Sequence, residues 1–145
     1  ITILNPAPAR EIAESDFKLI DYFTPNETEA EFYLNQKLNS DDDIKDAASK
    51  FLDKGVKNII ITLGEKGAYF ANNEQNFFIK SHNLKEKVID TTGAGDVFNG
   101  ALAFSLANDT NIKDAIIFAN KVAGISTTRL GAANSVPTLN EVVSY

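Results

Sequence analysis

Two kinds of apolar run alternate along the chain. Between 42 and 54, Ile44, Ala47, Ala48, Phe51 and Leu52 recur at i, i+3, i+4, i+7 and i+8, the stripe of an amphipathic helix, and Gly55 ends it. Asp41, Asp42 and Asp43 stand at its start, where acids serve a helix N-terminus rather than a metal. "VKNIIITLG" (56–64) is different: Ile59, Ile60 and Ile61 run without alternation, as in a strand buried on both faces. Short strands are predicted over 1–4 and over 18–23 ("KLIDYF"), stopped by Asn5-Pro6 and Thr24-Pro25. "NETEAEFYLNQKL" (26–38) predicts a helix capped by Asn26. "GAYFAN" (67–72) and "QNFFIKS" (75–81) predict strands joined at Asn72-Asn73. Helical spacing returns over 94–107 and from 112 to about 128, and a short helix is expected in the tail "VPTLNEVVSY". Strands alternating with helices, then helices alone, predict an α/β layered fold with a mostly parallel sheet.

Composition narrows the function. At 145 residues, 43% hydrophobic and 23% charged, the sequence reads as one soluble globular domain able to bury a core. Lys+Arg 14 against Asp+Glu 20 gives −6, which argues against a broad nucleic-acid surface, so any polyanion bound is small and held by local donors. Cysteine is absent, which excludes disulfides, thiol nucleophiles and Cys-ligated metals and suits a reducing cytoplasm. No apolar run approaches ~18 residues, so no membrane span or signal peptide is expected. The sequence holds no Met and opens inside a strand-like run, and is expected to be a fragment or processed chain.

The candidate chemistry centres on "DTTGAGDVFNG" (90–100). Glycines ahead of a helix let the backbone approach a ligand, and the first N–H groups of the helix lack internal partners. With the helix dipole, Gly93, Ala94 and Gly95 then form an anion site. Asp96 beside a phosphate would be repelled, yet it makes sense facing a neutral hydroxyl whose proton it takes during attack. The plain alternative makes Asp96 an N-cap. The dinucleotide template G-x-G-x-x-G fails because Phe98 stands at its third glycine, and no P-loop is present.

Two further stretches carry double readings. In "TLGEKG" (62–67), Gly64 and Gly67 flank a hairpin turn, or Thr62 and the loop amides hold phosphates at a strand end. In "TPNETEAE" (24–31), Asn26 and Glu29 form a capping box, or they orient water around Mg²⁺. His82, the single histidine, reads as an ordinary surface residue.

"DTTGAGDVFNG", "TPNETEAE" and "TLGEKG" together resemble the ribokinase-like (PfkB) carbohydrate kinase family, whose second signature is D-T-x-G-A-G-D. The resemblance extends over all 145 residues and implies the C-terminal, ATP-binding portion of a ribokinase-like fold, without the N-terminal half that carries the lid and most sugar-reading groups. It implies transfer of the ATP γ-phosphoryl to the 5-hydroxyl of ribose, with Mg²⁺ and K⁺. Alternatives are another sugar or nucleoside kinase of the family, such as a fructokinase or ketodeoxygluconate kinase, or a non-catalytic nucleotide-binding domain. By resemblance, Asp96 is the base and Gly93, Ala94 and Gly95 the anion hole. Asn26 and Glu29 lie near Mg²⁺ and the phosphates; Thr62, Leu63, Gly64 and Gly67 form the nucleotide loop, and Asn120 stands beside adenine and ribose. Asp90, Thr92, Ser126, Arg129, Gly131 and Ser135 would hold the monovalent cation, mostly through backbone oxygens. Lys121 and Val122 depart from the alanine run usual after Asn120. The resemblance also implies small-molecule partners only (ATP and the sugar) and a homodimeric parent enzyme.

Overall fold

A computed structural model describes residues 1–82 and 87–145; the loop-like run 81–87 therefore falls partly outside the described residues. The chain forms two compact units, Ile1–Ile79 and Lys80–Tyr145.

The first unit is a five-stranded sheet whose spatial order follows the chain: β1 (Ile3–Leu4), β2 (Tyr22–Phe23), β3 (Asn58–Thr62), β4 (Ala68–Asn72) and β5 (Asn76–Ile79). The sheet is mixed, which corrects the expectation of a mostly parallel one: β1, β2 and β3 run parallel, whereas β3–β4 and β4–β5 are antiparallel. The cause is connection length. Residues 63–67 and 73–75 are too few for a crossover, while α1 (Glu27–Leu34) and α2 (Asp41–Asp53) supply one between β2 and β3.

The α2 stripe buries Ile44, Ala47, Ala48 and Phe51, as its spacing predicted. Phe51 sits 5.1 Å from Phe23 in an edge-to-face pair, and Phe17 adds a second such contact to Phe23 at 5.7 Å. Ser40 caps α2 by accepting from the Asp43 N–H, and Asp41, Asp42 and Asp43 fill its first turn. Gly55 follows α2 at φ +101°, where a side chain would also meet Lys18 Cβ at 3.1 Å. Ile59, Ile60 and Ile61 are fully buried, as a strand covered on both faces requires.

Two local expectations change. Lys18 and Leu19 close a 3₁₀ turn over Glu14–Leu19 instead of extending, so β2 pairs only through Tyr22 and Phe23. The helix expected over 26–38 stops at Leu34, because Asn35 adopts a left-handed conformation at φ +47°. Glu31 then gathers the following residues, accepting from the Leu38 N–H and from Lys37 Nζ.

The second unit is a helical hairpin, α3 (Ala94–Ala107) and α4 (Ile112–Ser126), joined by residues 108–111 and followed by α5 (Leu139–Ser144). Val97, Phe98, Ala101 and Leu102 face inward from α3, and Ala115, Ile116, Ala119, Val122 and Ile125 from α4. The alanines let the two backbones approach. Thr138 and Glu141 form a capping box on α5. Among the described residues no helix is long and apolar enough to cross a membrane.

Candidate functional site

The start of α3 is built on one glycine. Gly93 is the N-cap, at φ +75°, and has no side chain to cap with. Asp96 therefore is not the N-cap; it occupies the third helical position, exposed, where its carboxylate also favours the helix dipole. The Gly93 carbonyl accepts from the Val97 N–H at 2.9 Å, the first bond of the helix. Ala94 N–H reaches back to the Thr91 carbonyl at 3.2 Å. The Gly95 and Asp96 N–H groups lie in the first turn, where a helix offers no internal acceptor. A methyl placed on Gly95 would meet nothing within 4 Å, so this face is open to an incoming group. A groove of about 570 Å³ begins beside Gly93 and Asp96 and continues as an apolar wall of Val97, Ala101, Phe104 and Phe118.

Behind the helix start lies the residue set expected to hold a monovalent cation. The Asp90 carboxylate accepts from the Thr92 N–H and from the Gly131 N–H, both at 2.9 Å, and so ties together segments 41 residues apart. The Thr92 hydroxyl, followed by these two N–H donors, holds the Asp90 carboxyl below its ordinary range. Asp90 is thus more than a turn residue. The Ile89 and Asp90 N–H groups both donate to the Thr127 carbonyl. Ser126 and Ser135 are buried, and their hydroxyls donate to the carbonyls of Ala123 and Ala132. Arg129 does not face this loop oxygen set with its guanidinium: it bonds Glu141 at 2.8 Å. Backbone and hydroxyl oxygens with one carboxylate suit a hard cation. The Ser126 and Ser135 hydroxyls donate to carbonyls within the chain, which leaves their oxygen lone pairs unused by these bonds. Among the described residues no three acids or histidines gather into a metal cluster.

In the first unit the parallel strands end along one edge. β2 runs out into Thr24-Pro25-Asn26, and the Pro25 carbonyl accepts from the Thr62 N–H at 2.9 Å, where Asn26 and Thr62 form a parallel bridge. Asn26, Glu29 and Thr62 are thereby brought together at the carboxyl ends of strands, the edge at which α/β ligands bind. Asn26 and Glu29 form the full capping box: each side chain takes the other's backbone N–H at 2.8 Å. Glu29 is buried in that role. The segment 62–67 closes a β3–β4 hairpin from the Thr62–Ala68 pair through a 3₁₀ turn, Gly64–Lys66. Leu63 N–H donates to the Gly67 carbonyl, Lys66 N–H to Leu63 and Gly67 N–H to Gly64, so these three amides serve the turn itself. A methyl on Gly64, at φ +56°, would point into open space.

Asn120 stands on α4 with its Nδ2 buried and without a hydrogen-bond partner, a donor that a ligand acceptor would satisfy. His82 is partly covered, its ring 6.5 Å from that of Tyr145. One residue escaped the sequence reading: Ala132, whose methyl lies against Gly93. Nothing local marks an alanine so far along the chain.

Residues 1–139 match the family model described as pfkB family carbohydrate kinase. The chain belongs to that family. It is 43% identical over 142 residues to the ribokinase of Staphylococcus aureus, covering 97% of this chain and 46% of that protein. A crystal structure of Thermotoga maritima ribokinase matches with TM-score 0.89 and 42% identity, over 99% of this chain and 48% of its own. An Arabidopsis thaliana ribokinase structure complexed with ribose and ATP matches with TM-score 0.87 and 28% identity, over 92% of this chain and 43% of its own. The PfkB chain thus spans about half the length of the relatives it matches. These coverages give the share of each relative that the chain spans, and the C-terminal placement expected from the motifs does not follow from them.

Proposed function

We propose that this PfkB chain is part of an ATP-dependent sugar kinase that phosphorylates the 5-hydroxyl of ribose. The observation that carries the reading is the placement of Asp96: a carboxylate in the first turn of α3, next to the open face of Gly95. The carboxylate accepts the proton of the primary hydroxyl as that oxygen bonds the γ-phosphorus and the bond to the leaving ADP oxygen breaks. General-base help of this kind contributes about 10²–10⁴ in rate. The first-turn amides around Gly95 stabilise charge on the transferring group, with Gly93 shaping the turn; the Ala94 N–H, expected in the anion hole, is instead held by the Thr91 carbonyl.

On the nucleotide side, Thr62, Leu63, Gly64 and Gly67 offer the strand-end loop, and Asn26, exposed at the head of the capping box and held there by the buried Glu29, would orient water around Mg²⁺. The unsatisfied Nδ2 of Asn120 supports a nucleotide acceptor beside α4. Mg²⁺, when bound, neutralises phosphate charge. Asp90, Thr92, Ser126, Arg129, Gly131 and Ser135 take K⁺ mainly through carbonyls, and the charge held on Asp90 supports a cation there. The net charge of −6 supports small-molecule partners over nucleic acid, and the lack of cysteine supports a cytoplasmic setting for an enzyme that works as a homodimer. Alone, this chain is at best weakly active.

The test is Asp96→Asn in the full-length protein, assayed with Mg-ATP against ribose, 2-deoxyribose, fructose, ketodeoxygluconate and a nucleoside. The reading requires ribose to give the highest kcat/KM and the variant to lose at least ~100-fold in kcat. Parental turnover by the variant would remove Asp96 from the chemistry, and preference for another acceptor would replace ribose.

A further inference from the structure

The left-handed turn at Gly93 fixes where the amides and carboxylate of α3 point, yet glycine is the residue least able to hold its own conformation. Something outside the helix must hold it. A Cβ on Gly93 would lie 3.0 Å from Ala132 Cβ and 3.4 Å from Ala132 Cα, so the Ala132 methyl fills the side on which a side chain would stand. Ala132 is itself fixed from both directions. Before it, Gly131 N–H donates to Asp90 Oδ2 while Asp90 Oδ1 accepts from Thr92 N–H. After it, the fully buried Ser135 gives both its hydroxyl and its N–H to the Ala132 carbonyl, at 2.7 and 3.2 Å. The two glycines of the turn therefore divide the work: Gly93 is backed by the loop, and Gly95 has nothing within 4 Å.

We infer that Ala132 is a positioning residue for phosphoryl transfer, acting through Gly93 to set the place of the α3 amides and of Asp96. The inference rests on the kinase reading of Asp96. The Ala132 side chain carries no polar atom, and it is the nearest side chain to the face of Gly93 on which a Cβ would stand. Removing the methyl frees the turn; keeping its size keeps the turn.

The test compares Ala132→Gly and Ala132→Ser in the full-length protein, with Asp96→Asn alongside. Because small misplacements near reacting atoms lower rates steeply, Ala132→Gly is expected to lose about tenfold or more in kcat with KM for Mg-ATP within about twofold of the parent. Ala132→Ser, nearly the same size, is expected to keep kcat within about twofold, with all thermal midpoints within a few degrees. The role is overturned if Ala132→Gly keeps parental kcat, if both variants lose equally, or if kcat falls only together with a matching rise in KM and a lowered midpoint. Asp96→Asn separates the two failures. A dead Asp96→Asn beside a parental Ala132→Gly rejects only the positioning role, whereas a parental Asp96→Asn rejects the kinase reading beneath it.

Discussion

Gly93→Ala should lower stability and Gly95→Ala should not, although the two positions belong to one motif. At Gly93 the backbone sits at φ +75°, and an L-residue there costs about 1–2 kcal/mol. The new methyl would also lie 3.0 Å from Ala132 Cβ, tighter than nearly all carbon contacts, so the loop must give way, and overpacking of this kind adds about 1–3 kcal/mol. The sum is roughly 2–5 kcal/mol, or about 6–15 °C in midpoint for a domain of this size. Gly95 lies within α3 and its methyl would meet nothing within 4 Å. Replacing glycine by alanine in a helix gains up to about 1 kcal/mol, so Gly95→Ala should be neutral or raise the midpoint by a few degrees. The assay is thermal unfolding followed by circular dichroism at 222 nm, where α3 and α4 dominate the signal of their unit. Ala132→Gly in the Gly93→Ala background should return the contact part of the loss and leave the φ part, which a double-mutant cycle reads directly. If Gly93→Ala and Gly95→Ala destabilise equally, or the cycle shows no coupling, the account of the turn is wrong.

Four further outcomes test other parts of the structure. Asn26→Ala removes half of the α1 capping box and should lower stability by about 1 kcal/mol, measured by urea unfolding of this chain. Phe51→Ala opens a hole in the aromatic cluster with Phe23 and Phe17 and should cost about 3–5 kcal/mol, enough to leave little folded first unit by the same measurement. Glu141 has its carboxyl lowered from 4.5 to about 2, chiefly by the Thr138 N–H and then by Arg129. A folded-state value below the unfolded one stabilises above pH 4.5 and loses that contribution as pH falls toward 2. The midpoint difference between parent and Glu141→Gln should therefore be present at pH 6 and gone near pH 2; a difference independent of pH would exclude the linkage. Asp90→Asn retains acceptor capacity at one oxygen only, so the difference in amide exchange at Gly131 and Thr92 between parent and variant should likewise shrink as pH falls below the ordinary aspartate range, readable by hydrogen exchange of those two amides.

What the sequence made legible was what neighbours in the chain decide. The α2 stripe, the Asn26–Glu29 box and the uninterrupted isoleucines of β3 are each read within a few residues, and the structure keeps all three. The direction of β4 and β5 was legible too, in the short connections 63–67 and 73–75, but the alternation of strands and helices outweighed it. "KLIDYF" has the composition of a strand, yet Ile20 N–H bonds back to the Phe17 carbonyl so that Phe17 can enter the aromatic cluster, and tertiary packing overrides local preference. The same limit explains the site. Composition and spacing single out Gly93, Gly95 and Asp96 but leave open whether Asp96 caps the helix, because that depends on a single backbone angle at Gly93.

That angle in turn depends on residues no local pattern connects to it. The hydrogen bond from Gly131 to Asp90 spans 41 residues, and it brings Ala132 to the one face of Gly93 that a side chain would need. On the proposed kinase reading, D-T-x-G-A-G-D supplies the groups that do the chemistry, and the loop behind it sets where they stand. Substitutions within the motif should abolish turnover outright, while those in the loop should move kcat in graded steps at nearly constant nucleotide KM. A loop series whose kcat and KM always move together would instead mean that the loop shapes the nucleotide pocket, and that the helix start holds its geometry unaided.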